Sequence, residues 1–368
     1  MRSLFSKATS LRLSLSLNHF IAIFLLVVTS CGGGGGGDSE ADPVGAFGVR
    51  REVIASNLST VTGLAASPDG RIFISELAGT VRTWSSDAGI SDPILTLAPS
   101  GGDGGEGILG IAADPEFPIK NFIYIYYSHP VFKDNQVLKY SFRNNSLEGG
   151  KLILRGIPIG GHNGGKLVFG RDRALYVTTG DSGDPARSQD LGSLAGKVLR
   201  LGSDGSALPD NPFGSSPVFA YGFRDIFGAD LDPATGEIVI TDNGPDCSDE
   251  INIVRGGGNY GWRPEQSCID IDPQFIQPAA RVATTVGITG AAFYQGAMFP
   301  ELNGELLVGD FNTGSINRYR RSATNSSQFE FVGLLIGGTG EGVISVAVAP
   351  SGEIFIGTVT RLEHIVKG

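Results

Sequence analysis

Cysteine occurs three times in 368 residues, methionine and tryptophan twice each, and histidine four times. So few thiols in a chain long enough for a large core exclude a disulfide-only miniprotein, and no C-x-x-C pair occurs. Positive charge is also scarce: 28 Lys and Arg stand against 38 Asp and Glu, a formal net charge of -10. Nucleic acid, whose phosphates need clustered cations to displace counterions, is a poor partner for such a chain. Long apolar runs are missing as well. The longest candidate, Phe20 to Val28, is too short for a hydrocarbon core of roughly 30 Å. No phosphate-cradling G-x-x-x-x-G-K-[ST] loop and no H-E-x-x-H helix occurs.

Glycine is abundant, with 55 residues, roughly twice the usual share, and it lacks the strict triplet period of collagen. Tight turns between short strands are the natural use for it. The first thirty residues differ from the rest. Arg2, Lys7 and Arg12 precede the apolar run without any acid, and the run ends Val28-Thr29-Ser30-Cys31, the three parts of a secretory signal. This end resembles a bacterial lipoprotein signal, in which Cys31 becomes the lipidated first residue of the mature chain. Residues 1–30 are therefore read as a signal peptide and 31–47, opening with Gly32 to Gly37, as a flexible tether. An ordinary cleaved signal with a free Cys is the competing reading. Cys247 and Cys268 are then the remaining pair in an exported chain, and a disulfide between them is the economical reading. Two buried thiols are the alternative.

From residue 48 onward one phrase recurs: a small apolar strand, a turn with Pro, Gly or Asp, then a second apolar strand. It reads GLAASPDGRIFIS from Gly63, LGIAADPEFPIKNFIYIYYS from Leu109 and GKLVFGRDRALYVTTG from Gly165. It returns as FGADLDPATGEIVITD from Phe227, GAAFYQGAMFPELNGELLVGD from Gly290 and SVAVAPSGEIFIGT from Ser345. Six copies at intervals of about 50 to 65 residues match the period of propeller blades. The expected fold is all-β, a six-bladed β-propeller over residues 48–368, with five or seven blades left open by the uneven stretches between copies. Because open sheet edges are a liability, the first and last blades must be joined. The strand Gly48 to Ala55 is expected to complete the blade made by Ser345 to Val366, and the interval Tyr260 to Ile288 to form a loop excursion.

Propellers bind ligands at the channel mouth, on loops. Three loops carry chemistry. In Gly160-Gly161-His162-Asn163-Gly164-Gly165 a histidine stands among glycines, suited to take a proton from a hydroxyl near pH 7 or simply to tie a turn. His129 and His364 lack such a context. In Tyr221-Gly222-Phe223-Arg224-Asp225 an arginine sits between aromatics, placed to polarise a carbonyl or to pair with Asp225. The stretch Asp242 to Glu250, followed by Gly256 to Trp262, gathers carboxylates and carbonyls suited to calcium, or forms a solvated acidic turn. Gly180-Asp181-Ser182-Gly183 imitates the nucleophile loop of a trypsin-like protease, but a blade repeat is the wrong frame for it.

Taken together these segments resemble the soluble sugar dehydrogenases that depend on pyrroloquinoline quinone (PQQ), the glucose/sorbosone dehydrogenase family. The likeness is carried by GEGILGIAADPEF at Gly105 to Phe117, HNGGKLVFG at His162 to Gly170, and LYVTTGDSGDPARSQDLGSLAGKVLRL at Leu175 to Leu201. DNPF at Asp210 to Phe213, AYGFRDIFG at Ala220 to Gly228 and DEINIVRGGGNYGW at Asp249 to Trp262 complete it. The resemblance implies PQQ over the channel mouth, calcium beside it, and hydride transfer from a sugar or polyol hydroxyl carbon to the quinone. It implies that His162 is the base, that Arg224 and Asp225 lie at the cofactor, and that the carbonyls of Gly244 and Pro245 hold the adjacent calcium. Glu250 and Tyr260 correspond to ligands of a second, structural calcium. An electron acceptor of unknown identity would complete the turnover, and the lipid at Cys31 would be the sole membrane contact, in the bacterial cell envelope.

The departures are specific. Where relatives carry a Lys this chain reads Asp310-Phe311-Asn312-Thr313, and where they carry two Arg it reads Glu341-Gly342-Val343-Ile344. Gly105 replaces a polar residue, and Asp225 an Asn. The missing cations would pair with the three PQQ carboxylates, so Arg318, Arg320, Arg321 and Lys166 become candidate substitutes. A second reading stays open, a cofactor-free propeller that binds carbohydrate or protein. A third, a calcium-dependent hydrolase on the same fold, needs Asp, Asn and Glu side chains converging on one central cation.

Overall fold

The computed structural model describes residues 47–98, 105–245, 247–264, 272–282, 286–338 and 340–368. The signal segment, Cys31, the glycine tether and Cys268 lie outside the described residues. Six antiparallel sheets follow one another along the chain. Blade 1 begins with Val61–Ala66 and Ile72–Glu76, blade 2 with Ile108–Ala113 and Phe122–His129, and blade 3 with Leu167–Phe169 and Leu175–Thr178. Blades 4, 5 and 6 begin with Ile226–Leu231 and Ile238–Asp242, Ile288–Phe293 and Leu306–Asp310, and Val343–Val348 and Ile354–Thr358. Each of these pairs is one copy of the repeated phrase. The β-branched and aromatic residues of the second strands are buried on both faces, as in Ile72–Glu76 and Ile354–Thr358, which explains why they read as continuous apolar runs.

Ring closure is as expected. Val49–Ala55 runs antiparallel to Leu362–Lys367, with Val49 opposite Lys367 and Arg51 opposite Ile365, so the N-terminal strand is the outermost of blade 6. The first strands of successive blades pack side by side, and that of blade 6 packs on that of blade 1. The ring therefore has six members and no open seam.

Six hydrophobic clusters are found among the described residues, and each lies between two blades rather than within one. Ile74 and Val61 of blade 1 meet Phe355 and Leu362 of blade 6, for example, and Ile251 and Val239 of blade 4 meet Val308 and Phe293 of blade 5. A four-stranded sheet has no core until its neighbours arrive.

Near the channel the first strands approach so closely that side chains are excluded. A Cβ on Gly110 would lie 2.0 Å from Gly165 O, on Gly228 2.3 Å from Thr289 O, and on Gly290 2.5 Å from Val346 N. Bulges accompany these positions, between Ile108 and Gly110, Ile226 and Gly228, and Ile288 and Ala291, and each bends its strand into the ring. Hydroxyls then bond across the boundaries: Thr62 to Ile108 O at 2.7 Å, Thr241 to Thr289 O at 2.7 Å, Thr289 to Val343 O at 2.7 Å, and Ser345 to Val61 O at 2.9 Å. Part of the glycine surplus is thus a packing requirement. Gly290→Ala is expected to lower the unfolding free energy in urea by about 1–3 kcal/mol; an unchanged midpoint would contradict this close packing.

Candidate active site

An antiparallel meander puts two kinds of loop at the same end of the ring: those entering each first strand and those joining second to third strands. Four such loops from blades 3 and 4 meet there. Residues 159–166 enter blade 3, and 179–196 join Leu175–Thr178 to Lys197–Leu201. Residues 222–225 enter blade 4, and 243–248 join Ile238–Asp242 to Asp249–Ile253. The excursion after Ile253 climbs back to the same end, where Asn259 bridges Tyr221 in parallel and Trp262 N donates to Gly222 O at 3.0 Å.

His162 stands partly exposed, its Nδ1 2.6 Å from Asp181 Oδ1. Asp181 is fully buried. The same oxygen accepts Gly183 N at 2.7 Å, and Oδ2 accepts the indole Nε1 of Trp262 at 2.7 Å. The two loops are zipped by Ser182 N donating to His162 O at 2.9 Å. An ionised carboxylate only accepts, so it keeps the imidazole proton on Nδ1 and leaves the lone pair on Nε2. Burial disfavours the imidazolium, but the hydrogen bond to Asp181 and the charge of Asp225 outweigh it, and the His162 pKa is raised. The arrangement is that of an oriented base.

Arg224 lies across the same boundary. Its Nη1 donates to Asn243 O at 3.0 Å, its guanidinium sits 5.7 Å from the Trp262 ring centroid, and its carbonyl accepts Asp181 N at 2.8 Å. Buried Asp242 anchors this turn by accepting Arg224 N at 3.1 Å and Asp225 N at 2.6 Å. Burial pushes the Asp242 carboxyl up to about 8 against the pull of those amides, and burial likewise raises Asp225. Two oxygens here, Asp225 Oδ1 and Asn243 Oδ1, are buried without a hydrogen-bond partner. Buried oxygens left unpaired call for a donor or a cation.

One pocket is lined by Arg224, Gly244, Pro245, Glu250, Tyr260 and Trp262, so the residues assigned by resemblance to calcium converge with Arg224. Gly244 N donates to Asp249 Oδ1 at 3.0 Å, and a Cβ on Gly244 would meet Cys247 O at 2.3 Å and Ser248 O at 2.5 Å. Carbonyl oxygens therefore crowd this loop. Cys247 is disulfide-bonded; its expected partner, Cys268, lies outside the described residues. Glu250, raised by burial, faces Arg281 at 3.5 Å. The Tyr260 hydroxyl donates to Ile253 O at 2.6 Å and accepts Arg255 N at 2.9 Å, while its ring stacks on Phe223 at 4.4 Å. That phenol is committed to the fold, and the main-chain carbonyl is the oxygen Tyr260 can offer a cation. Among the described residues no three His, Cys, Asp or Glu side chains cluster as a metal site.

Of the candidate substitute cations, three face the wrong way. Arg318 and Arg320 pair with Glu305 at 2.7 and 2.5 Å, and Arg321 pairs with Asp232 at 2.5 Å. Glu305 and Asp232 belong to turns between first and second strands, at the end opposite the mouth. Strand alternation shows which face a residue takes but not which end of the ring it serves. Lys166 instead reaches the first strands of blades 1 and 2, donating to Thr62 O at 2.5 Å and Leu109 O at 3.2 Å, and burial lowers it to about 8. At the two places where the family resemblance leads to an expectation of cations, Phe311 packs so closely on Gly342 that a Cβ there would meet its ring at 2.5 Å, and Glu341 accepts the Thr358 and Thr360 hydroxyls at 2.7 and 2.6 Å.

Sequence reasoning passed over Asp181, dismissed with the protease-like tetrapeptide, and gave Trp262 no role. A signal was present: an acid recurs at the end of the second strand, as Glu76, Asp242 and Asp310, and Asp181 sits just past that position in blade 3.

Comparison with known proteins agrees with this architecture. A family model described as Glucose / Sorbosone dehydrogenase matches residues 58–367. The chain is 25% identical to the aldose sugar dehydrogenase of Escherichia coli over 334 residues, 84% of this chain and 89% of that protein. It is 31% identical to quinoprotein glucose dehydrogenase B of Acinetobacter calcoaceticus over 248 residues, 58% of this chain and 52% of that protein. The PQQ-bound form of aldose sugar dehydrogenase from Streptomyces coelicolor superposes with a TM-score of 0.74 at 27% identity, covering 88% of this chain and 99% of that one. With the family model spanning all six blades, the chain belongs to the glucose/sorbosone dehydrogenase family.

Proposed function

We propose that the protein is a PQQ-dependent dehydrogenase that oxidises the CH–OH carbon of an aldose or related polyol, assisted by calcium. The observation that carries this reading is the His162–Asp181–Trp262 array in one mouth with Arg224. His162 Nε2 would accept the hydroxyl proton, while Asp181 holds the imidazole and stabilises the imidazolium that results. Arg224 offers a fixed positive charge where negative charge develops on the acceptor. When bound, PQQ supplies the two-electron acceptor that takes the hydride from the sugar carbon. The residues fit it at its quinone end, where Arg224 is available, and they fit a hard cation, for which the unpaired oxygens of Asp225 and Asn243 and the carbonyls of Gly244 and Pro245 are suitable donors. Glu250 and the Tyr260 carbonyl would serve a second calcium. For the carboxylates, Lys166 is the remaining candidate of those four, and it would have to exchange its bonds to Thr62 O and Leu109 O for them.

A second reading, a propeller that binds carbohydrate without the cofactor, draws support from the packing of Phe311 on Gly342 and from Glu341 at positions where the family resemblance leads to an expectation of cations. For cellular placement we favour export with a lipid at Cys31, on the strength of the signal-like N-terminus alone.

Titration of PQQ into the soluble domain with calcium is expected to give saturable binding and reduction of the quinone by aldoses. Chelating calcium should abolish that reduction, and His162→Ala should slow it by about 10²–10⁴-fold. Absence of binding at high micromolar PQQ in a folded, calcium-loaded sample would favour the second reading.

The pH profile has a definite sign. His162 must be neutral to act, and its pKa is raised, so kcat/KM should fall as pH drops through a value above the usual 6.5. Asp181→Asn removes the hydrogen bond and charge of Asp181 that raise it, and leaves the burial that lowers it opposed by Asp225 alone. The acid limb should therefore move to lower pH, with a plateau reduced by about 10²–10⁴-fold. A limb unmoved or moved upward contradicts the assignment of Asp181.

A further inference from the structure

Trp262 donates to Asp181, and its own placement is not left to loop packing. The segment that carries it is tied to blade 3 by two side-chain amides. Gln189 Nε2 donates to Asn259 Oδ1 at 3.1 Å and to Trp262 O at 2.8 Å, and Asn259 Nδ2 donates back to Gln189 Oε1 at 2.8 Å. Asn259 Oδ1 also accepts Gly261 N at 3.0 Å. These partners satisfy both amides in one orientation only, because each nitrogen faces acceptors and each oxygen faces donors. With Trp262 N on Gly222 O at 3.0 Å, the tryptophan main chain is pinned on both sides.

The clasp also touches the other half of the site. A Cβ on Gly222 would lie 2.4 Å from Asn259 Oδ1 and 2.9 Å from Gln189 Nε2, so the backbone leading into Arg224 rests against the amide pair. Gln189 ends a one-turn helix, Ala186–Gln189, whose position is fixed from below. The fully buried Lys197 directs its ammonium to the carbonyls of Arg187 at 2.7 Å, Ser188 at 3.1 Å and Ala195 at 2.6 Å, and Ser188 Oγ donates to Phe223 O at 2.7 Å. The helix is therefore a rigid base for Gln189.

We propose that Gln189 and Asn259 are positioning residues, an amide clasp that sets Trp262 and through it the orientation and charge of Asp181 against His162. This rests on His162 as the base of the proposed reaction. Neither residue touches substrate or cofactor in this account. With the clasp intact, the indole N–H shares the Asp181 charge with Gly183 N and the imidazole; without it, a larger share falls on the imidazole and strengthens its hold on a proton.

Two readouts need no cofactor and no sugar, so they test the clasp even in a protein that fails to oxidise sugars. Trp84 and Trp262 are the two tryptophans of the chain, and a Trp84→Phe background isolates the second. In it, Gln189→Met, which keeps the helix and its packing but removes the amide, should shift Trp262 emission to longer wavelength as the indole meets water. NMR titration of the His162 ring in the cofactor-free protein should show its pKa rising by about half a unit in Gln189→Met and in Trp262→Phe alike. Unchanged emission with an unchanged His162 titration, accompanied only by an earlier unfolding midpoint, would mean a merely structural role and overturn the proposal. Should Gln189→Met fail to fold, an unmoved His162 titration in Trp262→Phe overturns it on its own.

Discussion

No blade of this protein can bury its own faces, and that dependence governs the rest. The six hydrophobic clusters lie on the six blade boundaries, so stability resides in the contacts between repeats rather than within them. Close approach of the first strands at Gly110, Gly228 and Gly290 follows from the need to shut the ring around a narrow channel. Closure by Val49–Ala55 on Leu362–Lys367 turns a chain of sheets into one cooperative body. A mouth whose loops come from adjoining, mutually braced blades can hold side chains to within a fraction of an ångström.

The site uses one boundary in particular. His162 and Asp181 come from blade 3, Arg224 and Asn243 from the loops of blade 4, and Trp262 from the excursion that returns between them. Asp181 is the hub, since its carboxylate binds His162, Gly183 and Trp262 while its amide binds Arg224 O. The residues proposed to accept the proton and to stabilise the developing charge are thereby mechanically linked. The buried acids Asp225 and Asp242 lie beneath, costly to ionise in the bare protein, and a cation at the neighbouring carbonyls would make such a concentration of oxygens favourable.

Much of this was legible in the repeated phrase. Six apolar hairpins with Pro-Asp-Gly-like turns announce six blades, and the alternation of Val49 to Ala55 places the closing strand. His162, Arg224 and the Gly244-Pro245 loop were legible because their glycine and aromatic settings are unusual and match a family motif. Asp181 was not, because its local tetrapeptide mimics an unrelated protease and its partner lies in another loop. Arg318, Arg320 and Arg321 looked available for carboxylates because spacing along a strand does not reveal which end of the ring a side chain serves; their partners Glu305 and Asp232 do. The hydroxyl of Tyr260 shows the same limit, since its engagement with Ile253 and Arg255 depends on the path of the excursion.

The central claim is that the mouth between blades 3 and 4 is a quinone and calcium site. A crystal structure of the protein grown with PQQ and calcium tests it most directly. The account predicts anomalous density for calcium at the carbonyls of Gly244 and Pro245, with the quinone oxygens beside Arg224 and His162 Nε2 facing the open side where a sugar would stand. A well-ordered structure under those conditions with neither group between Arg224 and His162, or with calcium bound elsewhere and PQQ excluded by Phe311 and Glu341, would contradict it.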